Sequence, residues 1–319
     1  AHPKKPQMTR TATMMTKPAT SAVSSIDLRC WRKGLRPTAA MVGPEPLEPV
    51  SSPTMTADGF ALVADDGPVR TLTLNSPDRK NAVPSDQWDG LAAAFSDFEQ
   101  SNQRVLVVTG SGSEFCAGAD LSTEALFGGE AVPSAADNLA VMAAPGAAAT
   151  ALHRLSKPTV AAVDGVAVGA GMNLALGCDI VVASERARFS EIVVRRGLAL
   201  DFGGTWLLPR LVGLAKAREL ALTGRIIDAA EALEIGMVAR VVPPDLLRDT
   251  VTTIARELAA GAPLAQRFIK AGLDRSTTMT FEQAIQFENQ AQAVLLASQD
   301  FATGVEAFLA KEPPTFEGR

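Results

Sequence analysis

Two apolar runs each lead into a loop of small residues, and this repeated design restricts the fold more than any other feature. The first run is Val105-Leu-Val-Val-Thr109, followed by Gly-Ser-Gly and then Phe115-Cys-Ala-Gly-Ala-Asp-Leu121. The second is Pro158-Thr-Val-Ala-Ala-Val163, followed by Asp164 and then Gly165-Val-Ala-Val-Gly-Ala-Gly171. Short continuous apolar runs of this kind read as strands covered on both faces, which is the habit of parallel sheets. The loops read as turns that open helices. Small side chains let a ligand approach the backbone, and a helix start leaves N–H groups without partners at the positive end of its dipole. Two such donors aimed at one oxygen form an oxyanion hole. The competing reading is that these glycines only pack helix against strand.

Several chemistries are excluded. Leu174 occupies the third glycine position of G-x-G-x-x-G after Gly169 and Gly171, so the loop is not a dinucleotide fingerprint. Neither a P-loop nor a G-x-S-x-G elbow occurs. The three cysteines (Cys30, Cys116, Cys178) form no C-x-x-C pair, and the two histidines, His2 and His153, are too few for the usual zinc or haem ligand sets. No metal site is expected, and the cysteine usage suits a reducing compartment. Tyrosine is absent, so acid–base chemistry must rest on carboxylates. Hydrophobic residues at 47% and charged ones at 20% are a globular composition.

Charge is unevenly spread. Residues 1–44 carry eight Lys or Arg and one Asp, a net +7 within −5 overall, which leaves −12 for the remainder. So acidic a body is a poor partner for nucleic acid. Eight of the 20 prolines fall within residues 1–53, and no period survives there, so residues 1–56 read as a disordered leader. A translated upstream stretch, with the working start near Met41 or Met55, is the favoured explanation. A basic, acid-poor transit peptide or a functional tail are the others. The expected location is cytoplasmic, or mitochondrial if the leader is a transit peptide. No uncharged apolar stretch approaches the ~20 residues of a membrane span, so no membrane partner is expected.

Order is predicted from about Phe60. Phe60–Ala64 and Val69–Leu74 read as a hairpin about Asp65-Asp66-Gly67-Pro68. Ser85 is placed to cap a helix with Trp88, Leu91, Ala92, Phe95 and Phe98 on its apolar face. Residues 122–150, rich in Ala, Gly and Pro, read as a mobile lid that shapes the substrate pocket. Asp179–Ala183 reads as a further strand, and helices dominate from Gly203 onward. His153 is expected on a helix surface, and Trp206 in core packing or an aromatic wall.

Together the two loops resemble the crotonase family, the enoyl-CoA hydratases and isomerases. The resemblance is carried by Thr109–Leu121, Ala162–Gly171, Cys178-Asp-Ile180 and Gly203-Gly-Thr205, and runs from about Phe60 to the C-terminus. It implies an α/β fold, the ClpP-like spiral of ββα units. The core would span residues 57–255 and a C-terminal helical oligomerisation region residues 256–319. The implied assembly is a homotrimer or a dimer of trimers, with helices 281–295 and 301–309 as its surfaces.

It also implies an acyl-CoA substrate whose thioester oxygen is held by the backbone N–H groups of Ala119 and Ala170, with no separate cofactor. The hydratases of the family activate water with two glutamates; here those positions hold Asn173 and Val193. Asp201, before Gly203-Gly204, resembles the aspartate of family isomerases. The stretch Asp201–Arg210, with Asn173, is most similar to ring-1,2-epoxyphenylacetyl-CoA isomerases of phenylacetate breakdown and to 3-enoyl-CoA isomerases. Asp201 is therefore the expected proton shuttle, and a helix N-cap is its structural alternative. Asn173 could bond substrate or water but cannot act as a base. Glu191, two residues before Val193, is expected to direct its side chain differently from Val193 or off to one side, with a minor alternative as substitute base. Arg79, Lys80, Ala117, Asp120 and Leu121, with Phe308 and Lys311 of a Phe-x-x-Lys segment, are implied on the CoA side. Asp120 is also expected to fix its loop through backbone N–H groups. Solvated surface charge is the alternative for Arg79, Lys80 and Lys311, and substrate contact or a salt bridge for Arg195 and Arg196. The expected activity is isomerisation through a thioester enolate, either a double-bond shift or a ring-epoxide opening. Hydration and non-catalytic acyl-CoA binding are the alternatives, as is hydrolysis or decarboxylation in the same hole.

Overall fold

The computed structural model describes residues 53–56, 59–121 and 134–319. Val105 and Val107 face one side of a sheet and Leu106 and Val108 the other, and all four are buried. That two-residue alternation with apolar groups on both sides is what a covered parallel strand requires. The strand is β4 (Val105–Gly110) of a seven-stranded sheet. Before it come β1 (Thr54–Met55), β2 (Ala61–Asp66), β3 (Val69–Leu74) and α1 (Trp88–Gln100). After it come α2 (Ala135–Val141), α3 (Ala143–His153), β5 (Thr159–Val163), β6 (Val166–Val168), α4 (Ala170–Leu176), β7 (Ile180–Ser184) and β8 (Arg188–Ser190). The chain continues through α5 (Gly204–Thr223), β9 (Ile227–Asp228), α6 (Ala229–Glu234) and β10 (Arg240–Val242). It ends in four helices, α7 (Leu247–Ala260), α8 (Pro263–Arg275), α9 (Phe281–Leu295) and α10 (Gln299–Ala310).

The large sheet has the order β1-β2-β3-β4-β5-β7-β10, antiparallel from β1 to β3 and parallel from β3 to β10. A small sheet, β6-β8-β9, carries the second glycine loop. One face of the large sheet meets α1, α3 and α4 through Leu72, Phe95, Phe98, Leu106, Val108, Phe115 and their neighbours. The other is covered by α7, whose Leu247, Val251, Ile254 and Ala255 lie on Val105, Val107, Val160 and Val182.

The structure departs from the sequence-based expectations at several points. Asp65 and Asp66 belong to β2, leaving Gly67 (φ 53°) and Pro68 to turn the hairpin. Asp65 is held there by Arg70 Nε at 2.7 Å. Ser85 caps nothing: α1 begins at Trp88 after Gln87, without a side-chain cap. Its predicted apolar face is nonetheless buried at Trp88, Leu91, Phe95 and Phe98. The lid expected over 122–150 is corrected in part. Residues 122–133 lie outside the described residues, but α2 and α3 occupy most of the remainder, and α3 buries Pro145 and Ala148 against the core. An alanine-rich run is a strong helix former, and that propensity outweighs its weak periodicity. Thr54–Met55 already pair with Leu62 and Val63, within the stretch read as leader. The second glycine loop does not pass straight into a helix, since β6 stands between Gly165 and α4. The stripe Phe301, Val305, Phe308 and Leu309 lies on α10 as expected, and it is exposed.

Candidate active site

The two glycine loops are joined by backbone pairing. Cys116 N–H donates to the Val166 carbonyl at 2.9 Å, and Val168 N–H to the Cys116 carbonyl at 3.1 Å. On the other side Val83 N–H donates to the Gly118 carbonyl and Asp120 N–H to the Val83 carbonyl, each at 2.8 Å. The 115–120 segment is thus fastened between residues 82–83 and β6. Two glycines make this approach possible. Gly118 sits at φ 88°, and a Cβ there would stand 2.8 Å from the Val168 carbonyl oxygen. A Cβ on Gly171 would stand 2.4 Å from the Cys116 carbonyl oxygen.

This brings together the two amides expected to form the oxyanion hole. The Ala170 nitrogen lies 3.5 Å from where a Gly118 Cβ would be, one residue from Ala119. Neither the Ala119 nor the Ala170 N–H donates to a backbone acceptor among the described residues. Ala170 is the first residue of α4, where no carbonyl one turn back is available. Ala170 thus stands at the positive end of a short helix, whereas Ala119 lies in the loop bridged to Val83.

Asn173 and Asp201 meet beside this point. Asn173 is fully buried on α4, and its Nδ2 donates to the Asp201 carbonyl at 3.0 Å. Asp201 does not cap α5; Gly203 holds that position. Asp201 is half-buried, its Oδ1 has no hydrogen-bond partner, and desolvation raises its carboxyl above the ordinary aspartate range. The next residue, Phe202, is held at φ 45°, a costly backbone for a residue with a Cβ. Its ring packs on Trp88 at 5.6 Å between centroids. Strain stored beside a functional side chain is common when packing enforces it.

The second hydratase position is apolar, as read from the sequence. Val193 is buried on a 3₁₀ turn (Ile192–Arg196), and its Cγ1 lies 3.2 Å from where a Gly169 Cβ would be. Glu191 is more enclosed than the sequence suggests: it is fully buried, the Asn173 amide and the Asp201 charge both act on its carboxyl, and neither oxygen meets a partner at full hydrogen-bond geometry. Burial pushes it up to about 8. The turn begins one residue after Glu191 and swings that side chain inward, a change that neither strand nor helix periodicity anticipates.

Sequence reasoning also missed Asn81. It is fully buried at φ 55°, and its amide donates to the carbonyls of Ser111 (3.0 Å) and Glu114 (2.7 Å). Its Oδ1 accepts from Ser76 N–H at 2.9 Å and Ser111 Oγ at 3.1 Å. The only signal was an asparagine in a polar loop, where left-handed backbone suits it.

On the expected CoA side, Arg79 pairs with Asp120, and Lys80 Nζ lies 3.2 Å from Glu114. Arg79 and Lys80 keep about half of their side chains exposed, at 52% and 57%. Ala117 N–H donates to the Lys80 carbonyl at 2.9 Å, joining that loop to the 115–121 segment that ends in Leu121. Phe308 and Lys311 stand exposed at the end of α10. Arg195 Nε donates to the Thr223 carbonyl at 3.2 Å, a structural bond. His153 is exposed on α3 and meets the Trp206 ring edge-on at 5.0 Å, while Arg210 stacks on that ring at 3.9 Å. Among the described residues no three His, Cys, Asp or Glu are grouped to hold a metal, and no single helix is long and apolar enough to cross a membrane.

The two glycine loops, Asn173 and the half-buried Asp201 thus lie in one region of the fold. The sequence profile of the enoyl-CoA hydratase/isomerase family matches residues 65–319. The chain is 38% identical over 252 residues to the 1,2-epoxyphenylacetyl-CoA isomerase of Escherichia coli, covering 79% of this chain and 95% of that one. It is 33% identical over 252 residues to the short-chain-enoyl-CoA hydratase of Clostridium acetobutylicum, covering 78% and 94%. The crystal structure of an enoyl-CoA hydratase from Bacillus anthracis superposes with a TM-score of 0.76 at 30% identity, covering 82% of this chain and all of that one. The chain belongs to the enoyl-CoA hydratase/isomerase family and has the crotonase fold, and it is an enzyme of that family.

Proposed function

We propose that the protein is an acyl-CoA isomerase that forms a thioester enolate and moves a proton with Asp201. The supporting observation is the constellation of Asp201, Asn173 and Val193: one half-buried carboxyl whose Oδ1 has no hydrogen-bond partner, and no glutamate at either position that the family's hydratases use. The Ala119 and Ala170 N–H groups would take the negative charge that builds on the thioester oxygen, where a single donor is worth about 10²–10³ in rate. Asp201 would remove a proton from one carbon of the unsaturated chain and return it to another. One carboxylate suffices for that 1,3-shift, and general acid–base help is typically worth ~10²–10⁴. The chemistry needs no metal or redox cofactor. Similarity to an epoxyphenylacetyl-CoA isomerase makes a ring epoxide the second substrate to try.

The CoA moiety would rest against Arg79, Lys80 and the Ala117–Leu121 loop. Phe308 and Lys311, exposed on one subunit, would reach it from a neighbouring copy. Exposed Phe281, Phe301 and Leu309 support a homotrimer or a dimer of trimers, since such apolar groups are normally covered. Hydration is the second reading, favoured by one observation: Glu191 supplies a second buried carboxyl next to Asp201. The test is to incubate the protein with a 3-enoyl-CoA and with a 2-enoyl-CoA in water. Isomerisation predicts the conjugated 2-enoyl product from the first and little 3-hydroxyacyl-CoA from the second. Rapid hydration of the second would refute it.

A further inference from the structure

The two glycine loops are fastened to each other by a side chain that no step of the proton shift uses. Glu114 follows the turn after β4 and directly precedes the Phe115–Leu121 loop. Its Oε2 accepts from the Val166 N–H at 2.5 Å. The Val166 carbonyl in turn accepts from the N–H groups of Phe115 (3.1 Å) and Cys116 (2.9 Å). Both backbone groups of Val166, the first residue of β6, are therefore gripped by residues 114–116. From that grip one segment runs through β6 to Ala170 and the other to Ala119.

The fit is close. Gly165 is held at φ 58°, and a Cβ there would run into the Ser113 carbonyl oxygen and the Glu114 carboxylate. Only glycine at 165 lets the carboxylate reach the Val166 amide. The backbone of Glu114 is fixed as well, since its carbonyl accepts from Asn81 Nδ2 at 2.7 Å. The second carboxylate oxygen, Oε1, lies 3.2 Å from Lys80 Nζ. Most of the Glu114 side chain is enclosed, whereas more than half of Lys80 is exposed. A hydrogen bond from an amide to a carboxylate is roughly twice as strong as one between neutral groups, so Glu114 adds a firm side-chain tie to the backbone pairs between the two segments.

Taking Ala119 and Ala170 as the oxyanion donors, the reading on which this rests, we propose that Glu114 is a positioning residue of that hole: its Oε2 pins β6 to the first glycine loop and so sets the separation of the two donors. Donors of this kind act only when they are fixed beforehand, and a displacement of about 1 Å can cost about 10² in rate. Loss of the tie acts on the charged transition state more than on the bound ester, so it lowers kcat and leaves KM nearly unchanged.

The test uses the full-length protein and three substitutions. Glu114→Gln keeps an oxygen for the Val166 N–H and Glu114→Ala removes it, while both release Lys80 alike. Glu114→Asp keeps the charge but is one methylene short of the amide. On a 3-enoyl-CoA, the Ala and Asp proteins are expected to lose about tenfold in kcat with KM within about threefold, and the Gln protein to stay within about threefold of wild type in both. Independently of turnover, the infrared carbonyl band of bound butyryl-CoA, labelled with ¹³C at the thioester carbon, reports the hole, because each donated hydrogen bond lowers its frequency. This ester is saturated and has no double bond to move. The band is expected at the same lowered frequency in wild type and Gln, and nearer that of the free ester in Ala and Asp. Equal bands in all four proteins would overturn the proposal. So would a Gln protein as impaired as Ala, since charge and not the acceptor would then matter. A lowered band in wild type without isomerisation would refute the function assigned above and leave the comparison of variants to decide the role of Glu114. A wild-type band at the free-ester frequency would overturn the hole and this proposal with it. Where the Ala protein does not fold, the contrast between Gln and Asp decides.

Discussion

Replacing Glu191 by Gln should change how stability depends on pH, by an amount that follows from the burial of this one group. In the folded protein its carboxyl is raised from 4.5 to about 8, mainly by desolvation. In the unfolded chain it ionises at its ordinary value. A raised folded-state value means that the associated stability is fully present below the unfolded value and is lost as pH rises through the folded one. Each unit is worth about 1.4 kcal/mol, so the wild type should lose about 3 kcal/mol between pH 4.5 and pH 7. The loss should reach about 5 kcal/mol above pH 8. Glutamine does not titrate, so its protein escapes this loss, and the ionisable groups that do not interact with Glu191 cancel in the comparison. Thermal unfolding of both proteins at pH 5, 6, 7 and 8 is the assay. The Tm difference, variant minus wild type, should grow by roughly 6–10 °C across that range, at about 2 °C per kcal/mol for a chain of this size. Parallel Tm curves would show that Glu191 ionises normally, and the reasoning from its burial would be wrong.

Two further changes probe the frame of the site. Asn81→Ala strands the partners of four hydrogen bonds and puts a residue with no polar side chain at φ 55°. It should cost about 3 kcal/mol in denaturant unfolding, and a loss below about 1 kcal/mol would contradict its role as the hub of the 76–114 loops. Gly171→Ala drives a methyl group to 2.4 Å from the Cys116 carbonyl oxygen and must separate the two loops. Turnover should fall by about 10² or more as the paired donors move apart, and activity within threefold of wild type would mean that they do not act together.

How far the sequence carried the fold can be seen in the β4 and β5 runs and the face of α1. Their apolar periods specify both type and partner faces, and the structure follows them. Asn173, Val193 and Asp201 are picked out only through the family resemblance, which is aligned on the glycine loop and on Gly203-Gly204. What escaped depends on contacts between distant segments or on a local turn. The tightening of 192–196 into a 3₁₀ turn rotates Glu191 inward, and no period of 2 or 3.6 describes that. Asn81 gains its role only when residues 111–114 fold against it. The helices at 135–153 were masked by a composition poor in contrast, where alanine serves equally as helix former and filler.

The central claim is that Asp201 moves the proton while the backbone crevice holds the thioester. The most direct measurement compares wild type with Asp201→Asn, a change that keeps shape and removes the base, on a 3-enoyl-CoA, with CoA-ester affinity measured in parallel. The account predicts that kcat falls by about 10²–10⁴ while affinity stays within a few-fold. Turnover that survives the substitution within a few-fold would contradict it.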